Sequence, residues 1–293
     1  MTRRSPEILV VGASGLVGGR LAARFGTKAA GTYSSKAKAG LLALDITDAA
    51  ACRSLIGELR PRVVVHTAAL THVDLCEREP ERSRAVNVDG TRNVAIAAAE
   101  FGARHIYFST DYVFGSDQGP HPLSETPSPL NEYGRHKLEA ERIVATTVED
   151  HVIVRACNLY GYEADGMNFV MAVWKSLNRG ERMRVPEDQW GSPTLAEDLS
   201  EAIVRLLDSD VRGVVHLAGP DYVNRLELGR RAATAFGLDP GGIEGVPTTA
   251  LSQAAVRPLA GGLDADQSCE RVGCRFRGLN EGLERVAAQL RDR

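Results

Sequence analysis

Tyr133 and Lys137 stand four residues apart in "NEYGRHKLEAE", so on a helix they share one face. A free phenol titrates at about pH 10, and a neighbouring ammonium favours its ionised form. The pair therefore has the makings of an acid with its activator, although Y-x-x-x-K also recurs on ordinary solvated helices. Thr110, in "FSTDYVF", adds a hydroxyl that could donate to a carbonyl. A third group is the glycine turn "GASGLVG", where Gly12, Gly15 and Gly18 flank Ser14, Leu16 and Val17. Glycines between a strand and a helix permit a tight turn and let backbone N–H groups approach a pyrophosphate at the helix N-terminus. Together these residues suit hydride transfer from a nicotinamide to a carbonyl. Tyr133 would protonate the developing alkoxide, Thr110 would hold the oxygen, and Lys137 would bind the ribose and lower the Tyr133 pKa.

Such chemistry needs a scaffold that brings distant segments to one edge. Short apolar runs at residues 7–11, 29–33, 41–44, 63–67, 105–109 and 152–155 read as strands. Helical periodicity separates them at 16–25, 49–59 and 83–101, the last ended by Gly102. Strands apolar throughout, alternating with helices, predict a doubly wound α/β fold with a parallel sheet of Rossmann type. Thr110 then falls at a strand's carboxyl end, the edge where such sheets bind ligands. Beyond Arg155 the rhythm changes: a helix near 167–178, a helix–strand unit over 196–219, then short helices with Gly- and Pro-rich joints. The expected division is a dinucleotide-binding domain of residues 1–155 with 190–219, and a smaller discontinuous substrate-binding cap of 156–189 with 220–293.

The segment after the second strand indicates which dinucleotide. An NAD site usually places an acid there for the ribose 2′-hydroxyl. Here "GTYSSK" has none, and Ser34, Ser35 and Lys36 could receive a 2′-phosphate. NADPH is the expected cofactor, with NADH left open. Asp45 ends the third strand; it could accept from an adenine or compete with Asp48 to cap the next helix. His66 reads as a packed core residue, and His72 and Asp74 have no evident partner.

The 293-residue chain carries a formal net charge of −3, which gives no reason to expect nucleic acid or an anionic membrane as partner. Five scattered cysteines without a C-x-x-C spacing argue against a disulfide framework or a zinc site. The apolar run at 8–11 is too short for a signal peptide, and no stretch approaches a membrane span. A soluble, cytoplasmic protein is expected.

The glycine turn, Thr110 and Tyr133-x-x-x-Lys137 together resemble the extended short-chain dehydrogenase/reductases. "RPRVVVHTAALTHVDLCE", "AVNVDGTRN", "STDYVFGS", "SPLNEYGRHKLEAE", "EDQWGSPTLAEDLSEAI" and "VRPLAGGLD" narrow the likeness to the dTDP-4-dehydrorhamnose reductase group over nearly the whole chain. The resemblance implies a nucleotide-sugar reductase acting on the 4-keto group of a dTDP-4-keto-6-deoxyhexose. It places Gly15, Leu16 and Val17 at the pyrophosphate, Asp45 and Ile46 at the adenine, and Ala68, Ala69, Leu70 and Asn87 along the cofactor. Asp111 would join Thr110 in holding substrate hydroxyls. Tyr112 follows Asp111 where related dehydratases have a Glu, which argues against dehydration. One departure stands out: "RACNLYG" has Asn158 where the group carries a Trp against the sugar. The natural sugar is therefore expected to differ from dehydrorhamnose. The group also leaves open a non-catalytic NADP-binding subunit, similar to the β subunit of methionine adenosyltransferase, an NAD-dependent epimerase, or a tailoring ketoreductase of a non-sugar carbonyl. A homodimer, with or without an interface metal, is left open too.

Overall fold

The computed structural model describes residues 6–35, 37–163 and 168–292. Seven parallel strands form its main sheet: β1 (Ile8–Val11), β2 (Ala29–Tyr33), β3 (Leu42–Ala43), β4 (Val63–His66), β5 (Arg104–Thr110), β6 (His151–Ala156) and β7 (Gly213–His216), in spatial order 7-6-5-4-1-2-3. The order reverses beside β1, leaving a crevice at the carboxyl edge between β1 and β4.

Alternation along each strand fills both faces. Ile8, Val10, Val65, Ile106 and Val154 pack on one side with Leu21 of α1 (Leu16–Phe25) and with Leu199 and Ile203 of α6 (Ala196–Leu206). Leu9, Val11 and Val64 face the other side, against Ile56 of α2 (Ala49–Leu59) and Val94 and Ala98 of α3 (Thr91–Glu100). Each such aliphatic side chain, once fully buried, contributes about 1.5–3 kcal/mol. The α/β class and Rossmann topology expected from the sequence are what the chain adopts.

Local differences have local causes. The helix expected over 83–101 is interrupted: Ala85–Gly90 is π-helical, between Pro80–Arg84 and α3. There the Thr91 hydroxyl donates to the Asn87 carbonyl at 2.8 Å, and a side chain entering the ladder accompanies its widening. β3 is only two residues long, both exposed at the sheet edge. Asp48, not Asp45, caps α2, accepting from the Ala51 amide.

A second core forms the smaller lobe. Here α5 (Phe169–Asn178), α7 (Arg225–Ala235) and α9 (Leu279–Arg291) enclose Val170, Val185, Leu228, Ile243 and Leu283. The helix expected near 167–178 starts at Phe169 behind its cap Asn168; Met167 lies outside the described residues. The parallel pair Met183–Pro186 and Ile243–Val246 closes this lobe. Helix α8 (Asp266–Val272) packs elsewhere: Val272 joins the sheet's core, and Ser268 accepts from the His216 amide at 2.9 Å. Among the described residues, no helix is long and apolar enough to cross a membrane.

Candidate active site

A cleft of about 580 Å³ runs along the sheet's carboxyl edge beneath the smaller lobe. Its floor begins at the glycine turn. Gly12 holds φ +91°, and a Cβ there would stand 2.7 Å from the Ala68 backbone nitrogen. A Cβ at Gly18 would meet the Gly12 carbonyl oxygen at 2.3 Å. Glycine is thus required at both positions for turn, helix and β4 to nest. Ser14, Gly15, Leu16, Val17 and Gly18 line the cleft, and the first turn of α1 carries no acidic residue. Its positive end is therefore left for an anion, and this cradle fits a dinucleotide pyrophosphate.

Helix α4 (Glu132–Thr147) presents the Tyr–Lys pair. Asn131 caps it, accepting from the Gly134 amide at 2.9 Å, while its own amide donates to the Val256 carbonyl at 2.8 Å. Gly134 allows close docking, since a Cβ there would lie 2.1 Å from the Tyr112 carbonyl oxygen. Tyr133 thereby meets Tyr112 edge-on, ring centroids 5.7 Å apart. Tyr133, Lys137 and Thr110 are all buried yet line the same cleft as the glycine turn.

The electrostatics differ from the sequence expectation. The Tyr133 pKa is raised, not lowered: burial is the main cause, the Asp111 and Cys76 charges add to it, and a hydrogen bond with Thr110 opposes it. The phenol is therefore fully protonated at neutral pH, as a proton donor must be. The Lys137 ammonium instead donates to the Phe108 carbonyl at 2.6 Å. Burial pulls its pKa down to about 7, with Glu141 and Cys76 partly opposing.

Thr110 and Asp111 form a connected pair. The Thr110 hydroxyl donates to Asp111 Oδ1 at 3.1 Å and accepts from the Tyr112 amide at 3.2 Å. Asp111 Oδ2 accepts from the Gly262 amide at 3.1 Å and from the Cys157 thiol at 2.9 Å. Burial beside this carboxylate drives the Cys157 pKa well up. In this arrangement Thr110 gives its proton to Asp111 rather than holding it ready for a carbonyl.

Other expected cofactor residues separate. Ser35 and Ala69 line the cleft, whereas Ser34, Asp45, Ile46, Ala68 and Leu70 stand off it; Lys36 lies outside the described residues. Asp45 binds Thr47 through its backbone amide and hydroxyl, at 2.9 and 2.8 Å. Ile46 is buried, its side chain directly over Gly90. Asn87 does not line the cleft either. Its buried amide clasps Leu70, accepting from that residue's N–H at 2.8 Å and donating to its carbonyl at 3.0 Å. It fixes the loop after β4 instead.

Asn158 does line the cleft, in the left-handed region at φ +44°, which Asn tolerates better than most residues. Its Oδ1 accepts from Arg225 at 2.6 Å.

Sequence reasoning missed several groups. Lys38 lines the cleft and donates to the Ser14 carbonyl at 2.8 Å; its only signal was a second lysine in "SSKAK". Arg225 reaches the cleft from α7, far along the chain. Asp74, left without a partner in the sequence, binds Arg257 at 2.8 Å and the Ala255 amide at 3.1 Å. His72 caps the helix Val73–Arg78. Among the described residues, no group of three or more His, Cys, Asp or Glu could hold a metal.

Comparison with known proteins sets this geometry among relatives. The family described as the RmlD substrate binding domain matches residues 6–292. A dTDP-4-dehydrorhamnose reductase of Mycolicibacterium smegmatis is 33% identical over 288 residues, covering 97% of this chain and 86% of its own. A dTDP-4-keto-6-deoxy-D-glucose reductase of Streptomyces niveus is 34% identical over 217 residues, 73% of this chain and 75% of its own. The crystal structure of a dTDP-4-dehydrorhamnose reductase from Bacillus anthracis in complex with NADP superposes with a TM-score of 0.88. It is 29% identical and covers 96% of this chain and 98% of its own.

Proposed function

The chain belongs to the RmlD substrate binding domain family, and from that premise we propose that it is an NADPH-dependent reductase of the 4-keto group of a dTDP-deoxysugar. The observation that carries this reading is the burial of Tyr133, Lys137 and Thr110 on one cleft wall with the glycine turn.

Gly15, Leu16 and Val17 would hold the pyrophosphate at the helix N-terminus, and Ser35 and Lys38 flank the end where a 2′-phosphate would lie. Bound NADPH supplies the hydride to the carbonyl carbon. Tyr133 donates its phenolic proton to the oxygen that becomes the new hydroxyl. Asp111 orients the Thr110 hydroxyl, which is a hydrogen-bond partner of the Tyr133 phenol. Lys137, fixed on the Phe108 carbonyl, offers its other protons to the ribose. Burial serves this chemistry in two ways: it excludes water, and it keeps Tyr133 protonated until the alkoxide forms.

The sugar end of the cleft bears on substrate choice. Asn158 tied to Arg225 forms a polar, cationic wall where an indole would offer a flat apolar one. This favours a 4-keto-6-deoxyhexose other than dehydrorhamnose. The Rossmann class, free cysteines and small-molecule chemistry suit a cytoplasmic biosynthetic enzyme.

The test is the absorbance of reduced nicotinamide, with purified protein, NADPH and a panel of dTDP-4-keto-6-deoxyhexoses. At least one sugar should be reduced, and Tyr133→Phe should lose at least a hundredfold in kcat while binding NADPH nearly as before. Failure to oxidise NADPH with any of them would refute the proposal.

A further inference from the structure

The face of the sheet beneath α4 carries a row of buried polar side chains. His105, Tyr107 and Ser109 alternate along β5, and His66 of β4 lies beside Tyr107 in register. His66 and His105 stack at 5.6 Å between ring centroids, and His66 meets Tyr107 edge-on at 5.5 Å. The Lys137 ammonium sits over the Tyr107 ring, 4.1 Å from its centroid. Tyr107 is fully buried and Lys137 nearly so. No role in the reaction falls to Tyr107 itself, because the cleft is lined by its neighbours Phe108, Ser109 and Thr110 and not by this ring.

We propose that Tyr107 is a positioning residue for the reaction: the negative face of its ring holds the Lys137 ammonium charged and aimed along the cleft wall. Two contacts fix that ammonium, the Phe108 carbonyl at one side and the ring at another. The carbonyl can still accept from a neutral amine, though less strongly than from an ammonium, whereas the ring's negative face attracts only the cation. The distinction matters because burial, only partly opposed by Glu141 and Cys76, takes this lysine down to about 7, into the range where its charge is easily lost. An ammonium gives three donors with a fixed sign; an amine would give two and no charge for the ribose or the reacting oxygen.

Other titratable groups also face Lys137. Glu141 comes from α4 itself, Cys76 from the helix Val73–Arg78, and His66 from β4. Glu141 is in turn bound by Arg155 of β6 at 2.7 Å and by Ser109 at 2.5 Å. None of these is altered by a change confined to the ring at position 107.

The proposal rests on the reductase reading only in assigning Lys137 a part in catalysis; the charge effect is measured without substrate. The experiment labels lysine at Cε with carbon-13 and follows the Lys137 resonance against pH, assigned by its loss in Lys137→Met. Tyr107→Phe keeps the ring and should leave the midpoint within about 0.2 pH unit. Replacing residue 107 by 3,4,5-trifluorophenylalanine weakens the ring's negative face at nearly constant volume, so this variant keeps its fold if Phe does. Its midpoint should fall by about one pH unit, the shift expected for losing a buried cation–π contact. The alkaline limb of kcat/KM should move down in parallel, whereas a merely structural defect would lower the whole profile without displacing it. A trifluorinated variant that titrates like Tyr107→Phe would overturn the proposal. Absence of sugar reduction alongside a displaced lysine titration would instead count against the reductase reading alone.

Discussion

The glycine turn permits a two-sided test, because its glycines are required for different reasons. In Gly18→Ala, the new Cβ lies 2.3 Å from the Gly12 carbonyl oxygen and 2.8 Å from Thr67 Oγ1. Ordinary contact begins at 3.4 Å, so turn and helix must part by roughly 1 Å, and overpacking on this scale costs about 1–3 kcal/mol. For a chain of this size each kcal/mol lowers Tm by about 2–4 °C. A cradle displaced by that distance should also weaken NADPH binding by about ten- to a hundredfold. Gly15→Ala differs: φ is −87° and the nearest atom to its Cβ is the Gly12 oxygen at 3.6 Å. The fold should lose under about 1 kcal/mol, the cost of a poorer helix cap, while the methyl intrudes where the pyrophosphate would rest. The assay pairs thermal unfolding without cofactor and fluorescence titration with NADPH. Gly18→Ala should fail in both, Gly15→Ala in the second alone. If Gly15→Ala binds NADPH like the parent, the pyrophosphate does not sit at this turn; if Gly18→Ala melts like the parent, the packing argument is wrong.

Two further outcomes are expected. Lys38→Ala should raise the Kd for NADPH about fivefold and that for NADH hardly at all, the scale of one exposed charge pair; equal losses would place this lysine away from the 2′-phosphate. The buried imidazole of His216 titrates at about 4, chiefly through burial and the Arg155 charge, and burial takes His105 to about 3. Both pKa values lie below the unfolded value near 6.5. Their stabilisation is therefore complete above that value and is lost as pH falls towards 4. Between pH 7 and 5 each should cost about 2 kcal/mol, read from urea midpoints, and His216→Gln should remove its share of the slope. Flat stability across that interval would mean that these rings are already charged in the folded protein.

What could be read from the chain follows the range of each interaction. Tyr133 and Lys137 were legible because helical spacing alone places them together, and the glycine turn because it lies between its own strand and helix. The Tyr133 pKa was not, since its direction depends on burial beneath the second lobe, to which no local pattern points. Arg225 reaches Asn158 across 67 residues, and only the folded chain makes them neighbours. Asn87 shows a subtler gap. Its place in "AVNVDGTRN" gives no hint of the contact it makes, a clasp on Leu70 from within a widened helical turn. Lys38 was missed because nothing in "SSKAK" marks its side chain as the one that returns to the Ser14 carbonyl.

The tether between Asp111 and Gly262 has a consequence for how the molecule is made. It spans 151 residues, and the neighbouring ties from Asp74 to Ala255 and from Asn131 to Val256 span 181 and 125. At translation speeds of about 5–20 residues per second, Gly262 follows Asp111 by roughly 8–30 s. All seven strands of the sheet and α4 can therefore form on the nascent chain while the pocket around Tyr133 still lacks one side. Asp111, and through it Thr110, gain the Gly262 contact only once that later stretch of chain arrives. The order of synthesis thus completes this wall of the pocket after the sheet that carries it.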